Sequence, residues 1–243
     1  TAIVSSSIML SATYSAVALE MHEIGNFKIG EGEGYAEMLR YHPKSQSLMV
    51  TASETGTIER LSISSVTNIS KMDPLDLSGG DVTAVAINGD MVAASIKGDA
   101  ADAAGMVKLF NTSGKEIASF TTGPLPDNLA FSPDGRYILT ANEGEPSDDY
   151  TVDPEGSFTL IDIGSGTSNA KVTEISLTNL ATPIGGRIVK PGSSFAADAE
   201  PEYVAFDANS KTAYVTLQEN NSVAVIDIDN AKVASVVGLG VKN

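Results

Sequence analysis

One short pattern recurs four times along this chain and limits its fold more than any other feature. "EMLRYHPKSQSLMVTASETGTIERLSI" begins at Glu37, "TAVAINGDMVAASIKGDAADAAGMVKLF" at Thr83, "DNLAFSPDGRYILTANEGE" at Asp127 and "EYVAFDANSKTAYVTLQENNSVAVIDI" at Glu202. The starts lie 46, 44 and 75 residues apart. Each segment has a short apolar run, a turn, a second apolar run, a polar connection and a third run ending apolar-acidic-apolar. Ser132-Pro133-Asp134-Gly135 and Asp207-Ala208-Asn209-Ser210 are turn formers set between apolar runs. A fourth run follows where space permits, as in "KEIASFTTG" and "AKVASVVGLG". Four strands in about 45 residues, repeated, predict an all-β fold, a β-propeller of four-stranded blades. The blades are expected near 37–80, 83–123, 127–180 and 202–240, within a propeller over 19–243. Closed propellers have about 4 to 8 blades, and with only four visible a longer chain or a partner chain is expected to complete the ring, a closed four-bladed ring being the alternative.

The start of the sequence has a different character. "TAIVSSSIMLSATYSAVALE" carries no charge before Glu20 and contains Ala16-Val17-Ala18, a small-residue cleavage pattern. Residues 1–18 therefore read as the end of a secretory signal, or else as a first strand, and export to the periplasm, cell surface or medium is the expectation.

Charge narrows the partners. With 15 basic and 31 acidic residues the net charge is −16, which repels nucleic acid and anionic lipid and leaves cations or basic surfaces as the natural partners. The chain has no cysteine, which removes disulfides, thiolate nucleophiles and iron–sulfur ligation.

The acid is not spread evenly. Glu143, Glu145, Asp148, Asp149, Asp153 and Glu155 stand in one connection with no Lys or Arg among them. Strand alternation puts this second-to-third-strand connection on the same face as the entry to each inner strand, where Glu37, Asp127 and Glu202 occupy one aligned position and Glu200 stands beside them. Glu31, Glu33, Asp99 and Asp102 belong to that face too. Converging carboxylates raise one another's pKa unless a cation offsets them. An all-oxygen donor set points to Ca²⁺, with Mg²⁺ or Mn²⁺ behind it, and Asn128 and Asn142 could add neutral oxygens. "DDYTVDPEG" lacks the ligand spacing of an EF-hand.

Other chemistry is weaker. His42 falls in the turn on the opposite face, away from any acidic mouth, and His22 reads as a strand-edge residue. "GEGEG" has no following helix, and its glutamates would repel a dinucleotide. Arg187 and Lys190, in the insertion before the fourth segment, could hold a substrate phosphate or carboxylate beside a metal.

The stretches "LPDNLAFSPDGRYILTANEGEPSDDYTVDPEGSFTLIDI" and "AEPEYVAFDANSKTAYVTLQENNSVAVIDI" resemble the choice-of-anchor I family of exported bacterial β-propellers, over most of the chain from about Leu19 onward. That family is related to mesenchyme-specific cell-surface glycoproteins and to an atypical alkaline phosphatase. The resemblance implies a propeller of about seven blades on a longer, anchored chain. Its shared acidic motifs fall on Glu143, Glu145, Asp148, Asp149, Asp153, Glu155, Glu200 and Glu202.

Three functions are thus expected of the acidic mouth. The first is a calcium-binding surface or periplasmic binding module. The second is a metal-dependent phosphoesterase, with Glu202 as base and Arg187 or Lys190 offsetting charge on a phosphorylated small molecule. The third is a mineral-associated surface protein. No insertion into a membrane is expected.

Overall fold

The apolar runs become sixteen strands in four antiparallel sheets, each in simple sequential order. In this computed structural model the described residues are Glu20, 22–78 and 80–240, so the leader expected over residues 1–18 lies outside them. The first sheet holds β1 (Leu39–His42), β2 (Ser47–Ala52), β3 (Thr57–Ser62) and β4 (Ser70–Asp76). The second holds β5 (Val82–Asn88), β6 (Met91–Ile96), β7 (Ala104–Asn111) and β8 (Glu116–Pro124). The third holds β9 (Pro126–Phe131), β10 (Tyr137–Asn142), β11 (Ser157–Asp162) and β12 (Lys171–Ser176). The fourth holds β13 (Pro201–Phe206), β14 (Thr212–Leu217), β15 (Ser222–Asp227) and β16 (Lys232–Gly238). A single helical turn, α1 (Phe195–Asp198), lies in the insertion ahead of β13. Among the described residues no helix is long and apolar enough to cross a membrane.

The inner strands β1, β5, β9 and β13 pack on one another in chain order, so the sheets are blades set around an axis. Three cores fill the gaps between successive blades. Met49, Ile58 and Phe110 lie between the first and second, Ala93, Leu109 and Ile138 between the second and third, and Leu139, Phe158, Val215 and Ile226 between the third and fourth. A blade covered on both faces needs apolar residues on both, which is why every residue of β10 is buried. Its counterpart β14 alternates between buried and partly or fully exposed residues, because only one face of the fourth blade is covered. Leu139 pairs with Leu160 on the face that receives the fourth blade, whereas Tyr214 and its partner Val225, at the matching positions, look outward. Tyr203, Tyr214 and Val237 are 51%, 46% and 50% exposed there. Among the described residues the fourth sheet makes no extensive packing on the first, and the blades form an open arc.

Opposite the inner-strand entries, the first turns of successive blades hold one another. Buried His42 takes a hydrogen bond at Nδ1 from Ser45 Oγ (2.5 Å) and donates from Nε2 to the Gly89 carbonyl of the next blade (2.9 Å). Lys44 pairs with Asp90 across the same junction, and the Asp134 amide donates to Ser210 Oγ (3.1 Å) between the third and fourth blades. In the turn itself the Gly135 amide bonds the Ser132 carbonyl (2.9 Å), at a φ of +72° that favours glycine. His42 is thus a fastening between blades, consistent with its place in the turn. His22 stands on no strand; it is an exposed residue beside Glu20. Replacing His42 by alanine empties a buried position and removes the bond to the Gly89 carbonyl of the next blade, and should cost about 1–2 kcal/mol, whereas Lys44→Ala, which breaks only an exposed pair, should leave the melting temperature unchanged. Thermal unfolding of the two variants side by side tests this, and equal losses would contradict it.

Candidate functional site at the channel mouth

The inner strands enter their sheets through a repeated irregularity. In β5 the pairing skips between Val82 and Ala84, in β9 between Pro126 and Asn128, and in β13 between Pro201 and Val204. The skipped residues are Thr83, Asp127 and, with Tyr203, Glu202. In the first blade Glu37 and Met38 both bond the backbone of Thr51, which puts Glu37 at the same place. A bulge turns a side chain out of the pleat, so one local device presents Glu37, Thr83, Asp127 and Glu202 at the channel entrance. Thr83 is spent on structure, donating to the Pro126 carbonyl (2.5 Å).

Further carboxylates arrive from the connections. Glu143 follows β10, with its amide fixed on the Leu125 carbonyl (2.8 Å). Glu200 follows α1, and Glu219 follows β14. Burial pushes the Glu143 carboxyl up to about 8, helped by Asp127, Glu145, Glu200 and Glu202. Burial, then Glu219 and Glu145, lifts Glu200 to about 7. Glu202 also rises to about 7, through burial, the charges of Glu219 and Asp127, and a hydrogen bond to Glu219. Burial and Glu145 raise Asp127. Two carboxyl groups within hydrogen-bond reach must share a proton or a cation. Among the described residues no three His, Asp or Glu side chains are already drawn into a metal-ligating set. These carboxylates share a field, not a coordination sphere.

The remaining acids of the loop point elsewhere. Asp149 caps its own turn, accepting from Ser147 Oγ (2.8 Å) and from Thr151 N (3.1 Å) and Oγ1 (2.7 Å), which hold its carboxyl below the usual range. Glu155 accepts from Thr178 Oγ1 (2.5 Å). Asp148 is exposed and lines, with Lys97 and Asp99, a separate cavity of 360 Å³. Exposed Glu37 is not among the largest charges acting on Glu143, Glu200 or Glu202. Asp153 receives the Lys190 ammonium, and Arg187 donates to the Glu219 carbonyl. The amides expected to add neutral oxygens are engaged within the fold. Asn142 bonds Thr140, Ser157 and Thr159, and Asn128 accepts from the Val204 amide (3.4 Å).

Three residues of the site stand outside the sequence reading. Glu219 sits in the same kind of connection as Glu143, and applying that rule to "LQENN" finds it. Asp198, 4% exposed, accepts from the Val189 and Lys190 amides (2.9 and 2.6 Å) and from Asn220 Nδ2 (2.6 Å), clamping the insertion onto the fourth blade. Tyr150 is 69% exposed and has a φ of +56°, uncommon for a bulky side chain. Close packing also fixes the third blade here: a Cβ on Gly156 would lie 2.0 Å from the Ala199 carbonyl oxygen.

The sequence profile of the choice-of-anchor I domain matches residues 37–243, from the first bulged glutamate to the last residue. The chain belongs to the choice-of-anchor I family. The solved structures that this choice-of-anchor I domain is similar to include hydrazine synthase of Kuenenia stuttgartiensis, at 18% identity and a TM-score of 0.60, over 80% of this chain and 53% of that one. They also include the β-propeller domain of Cps50 (Swd1) from Myceliophteria thermophila, at 12% identity and a TM-score of 0.58, over 86% and 57%. A protein from Lactobacillus plantarum gives 15%, 0.57, 84% and 57%. At these identities the likeness is one of fold, and it makes the four sheets propeller blades. The choice-of-anchor I chain spans a little over half the length of these structures. No curated protein matches the sequence.

Proposed function

We infer that this is an exported propeller module whose channel mouth binds Ca²⁺. Family membership and the small-residue start of the chain support export. The observation that carries the calcium reading is the Glu202–Glu219 contact, set among Asp127, Glu143, Glu145 and Glu200. A hard divalent cation is the partner that relieves such an array, and carboxylate oxygens are the donors it prefers. Mg²⁺ and Mn²⁺ favour a tighter octahedron than side chains on three separate connections readily supply, which places both behind Ca²⁺.

Calorimetric titration of Ca²⁺ into chelator-treated protein, beside a Glu202→Gln/Glu219→Gln double variant, is the test. One or two sites are expected, weakened about tenfold or more in the variant. Unchanged binding in the variant would remove the assignment. Many weak sites with no saturation would instead favour a mineral-associated role. Hydrolysis of a phosphomonoester that appears with the metal would favour the phosphoesterase reading, with Glu202 as base; Lys190 would then have to leave Asp153 to reach the phosphate.

A further inference from the structure

We propose that the cavity between the acidic loop and the insertion binds a primary alkylammonium group, as carried by aliphatic polyamines and by lysine side chains. The cavity measures 420 Å³ and is walled in part by Tyr150, Asp153, Lys190, Glu200 and Glu219. That volume accommodates a small organic ligand.

The seat is already defined by an ammonium of the chain itself. Lys190 Nζ rests on the Asp153 carboxylate and lies 5.9 Å from the centroid of the Tyr150 ring. An aromatic face beside a carboxylate is the arrangement that holds an organic cation, because the ring quadrupole adds to the ion pair. Lys190 does not need this contact to stay in place. Its backbone amide is held separately by Asp198, and its side chain is 42% exposed, so the ammonium can leave without moving the loop.

Two carboxylate oxygens just behind the wall are also unmatched. Asp153 Oδ1 and Glu219 Oε2 are both shielded from solvent, and neither meets a donor. A buried acceptor without a donor costs free energy. An alkylammonium brings three donors and no acceptor, which suits a wall whose charged groups other than Lys190 are all carboxylates, and a diamine brings a second cation for the Glu200 and Glu219 side. Calcium could satisfy the oxygens but has no use for Tyr150, so the ring separates this site from the calcium reading, which it does not rest on.

The test is calorimetric titration of cadaverine, and separately of Nα-acetyl-lysine amide, into the full chain and into Lys190→Met, at constant ionic strength. Lys190→Met keeps the aliphatic stem and removes the internal competitor, so cadaverine should bind about tenfold more tightly than to the parent. In that background Tyr150→Ala should weaken cadaverine about fivefold, the scale of a partly desolvated cation–π contact, and leave Ca²⁺ binding unchanged. Tyr150 is an exposed loop residue, and far-ultraviolet circular dichroism of each variant confirms folding. Tighter binding of cadaverine than of the lysine amide identifies a free polyamine, and the reverse identifies a lysine of a partner protein. Cadaverine binding no tighter in Lys190→Met than in the parent, or indifferent to Tyr150→Ala, would overturn the proposal.

Discussion

Raising the pH from about 6 to about 8.5 without divalent cations should lower the melting temperature by several degrees. The folded-state carboxyls of Glu143, Glu200 and Glu202 sit at about 8, 7 and 7, above the usual 4.5 that they regain on unfolding. Between those limits the folded chain holds protons that the unfolded chain has released, so stability falls as pH rises through the window and levels off above the highest value. Below about pH 4.5 both states are protonated and these groups contribute no further slope. Each group is partly solvated, which moderates the effect. Glu143→Gln should raise the melting temperature at pH 8.5 and flatten the curve. Glu37→Gln, at the equivalent bulge but outside the cluster, should leave the curve as it was. Millimolar Ca²⁺ should restore the loss at high pH in the parent protein. Differential scanning fluorimetry over the pH range, with and without Ca²⁺, reads all of this. A flat profile would mean that the carboxylates are solvated independently, while a slope that Ca²⁺ does not correct would leave the field intact and remove the calcium.

Asp198→Ala should be the most damaging single change at the mouth. It deletes the acceptor of the Val189 and Lys190 amides and one of the two acceptors of Asn220 Nδ2, which keeps the Arg187 carbonyl, and it leaves a vacancy beside an asparagine that is 0% exposed. A loss of about 2–4 kcal/mol is expected, roughly 10 °C in melting temperature for a chain of this size. Asp198→Asn keeps an acceptor oxygen and should lose less than half as much. Hydrogen exchange provides the second readout: the amides of Val189 and Lys190 should lose protection in the alanine variant while those of β6 and β7 keep theirs. Uniform loss across all blades would show that Asp198 supports the whole arc, not the insertion alone.

The blades were legible because their turns are chemically explicit. Ser132-Pro133-Asp134-Gly135 cannot continue a strand, and the apolar runs on either side are the right length for buried ones. The convergence of Asp127, Glu143, Glu200 and Glu202 was also legible, since it follows from which connections share a face. The number of acids at the mouth was not. Asp149 was counted there because a sequence shows its charge and not its turn, although Ser147 and Thr151 on either side are the partners such a cap requires. Asp198 left no mark at all: its role depends on two amides and an asparagine that meet only when the insertion folds back over the fourth blade. The bulges are invisible for a related reason, since one extra residue in a strand alters pairing without altering composition.

The outward face of the fourth blade has a practical consequence for all of these measurements. Tyr203, Tyr214 and Val237 occupy the side that the third blade uses to hold a neighbour, and here they meet water. Where no further blade or partner covers it, a patch of that kind favours self-association, which adds to apparent stability by mass action. Melting temperatures taken at several dilutions would drift together if copies were meeting through this face, and Tyr214→Lys would hold them still. Stability measured with that face uncovered therefore has a second variable, which is how crowded the solution is with copies of the chain.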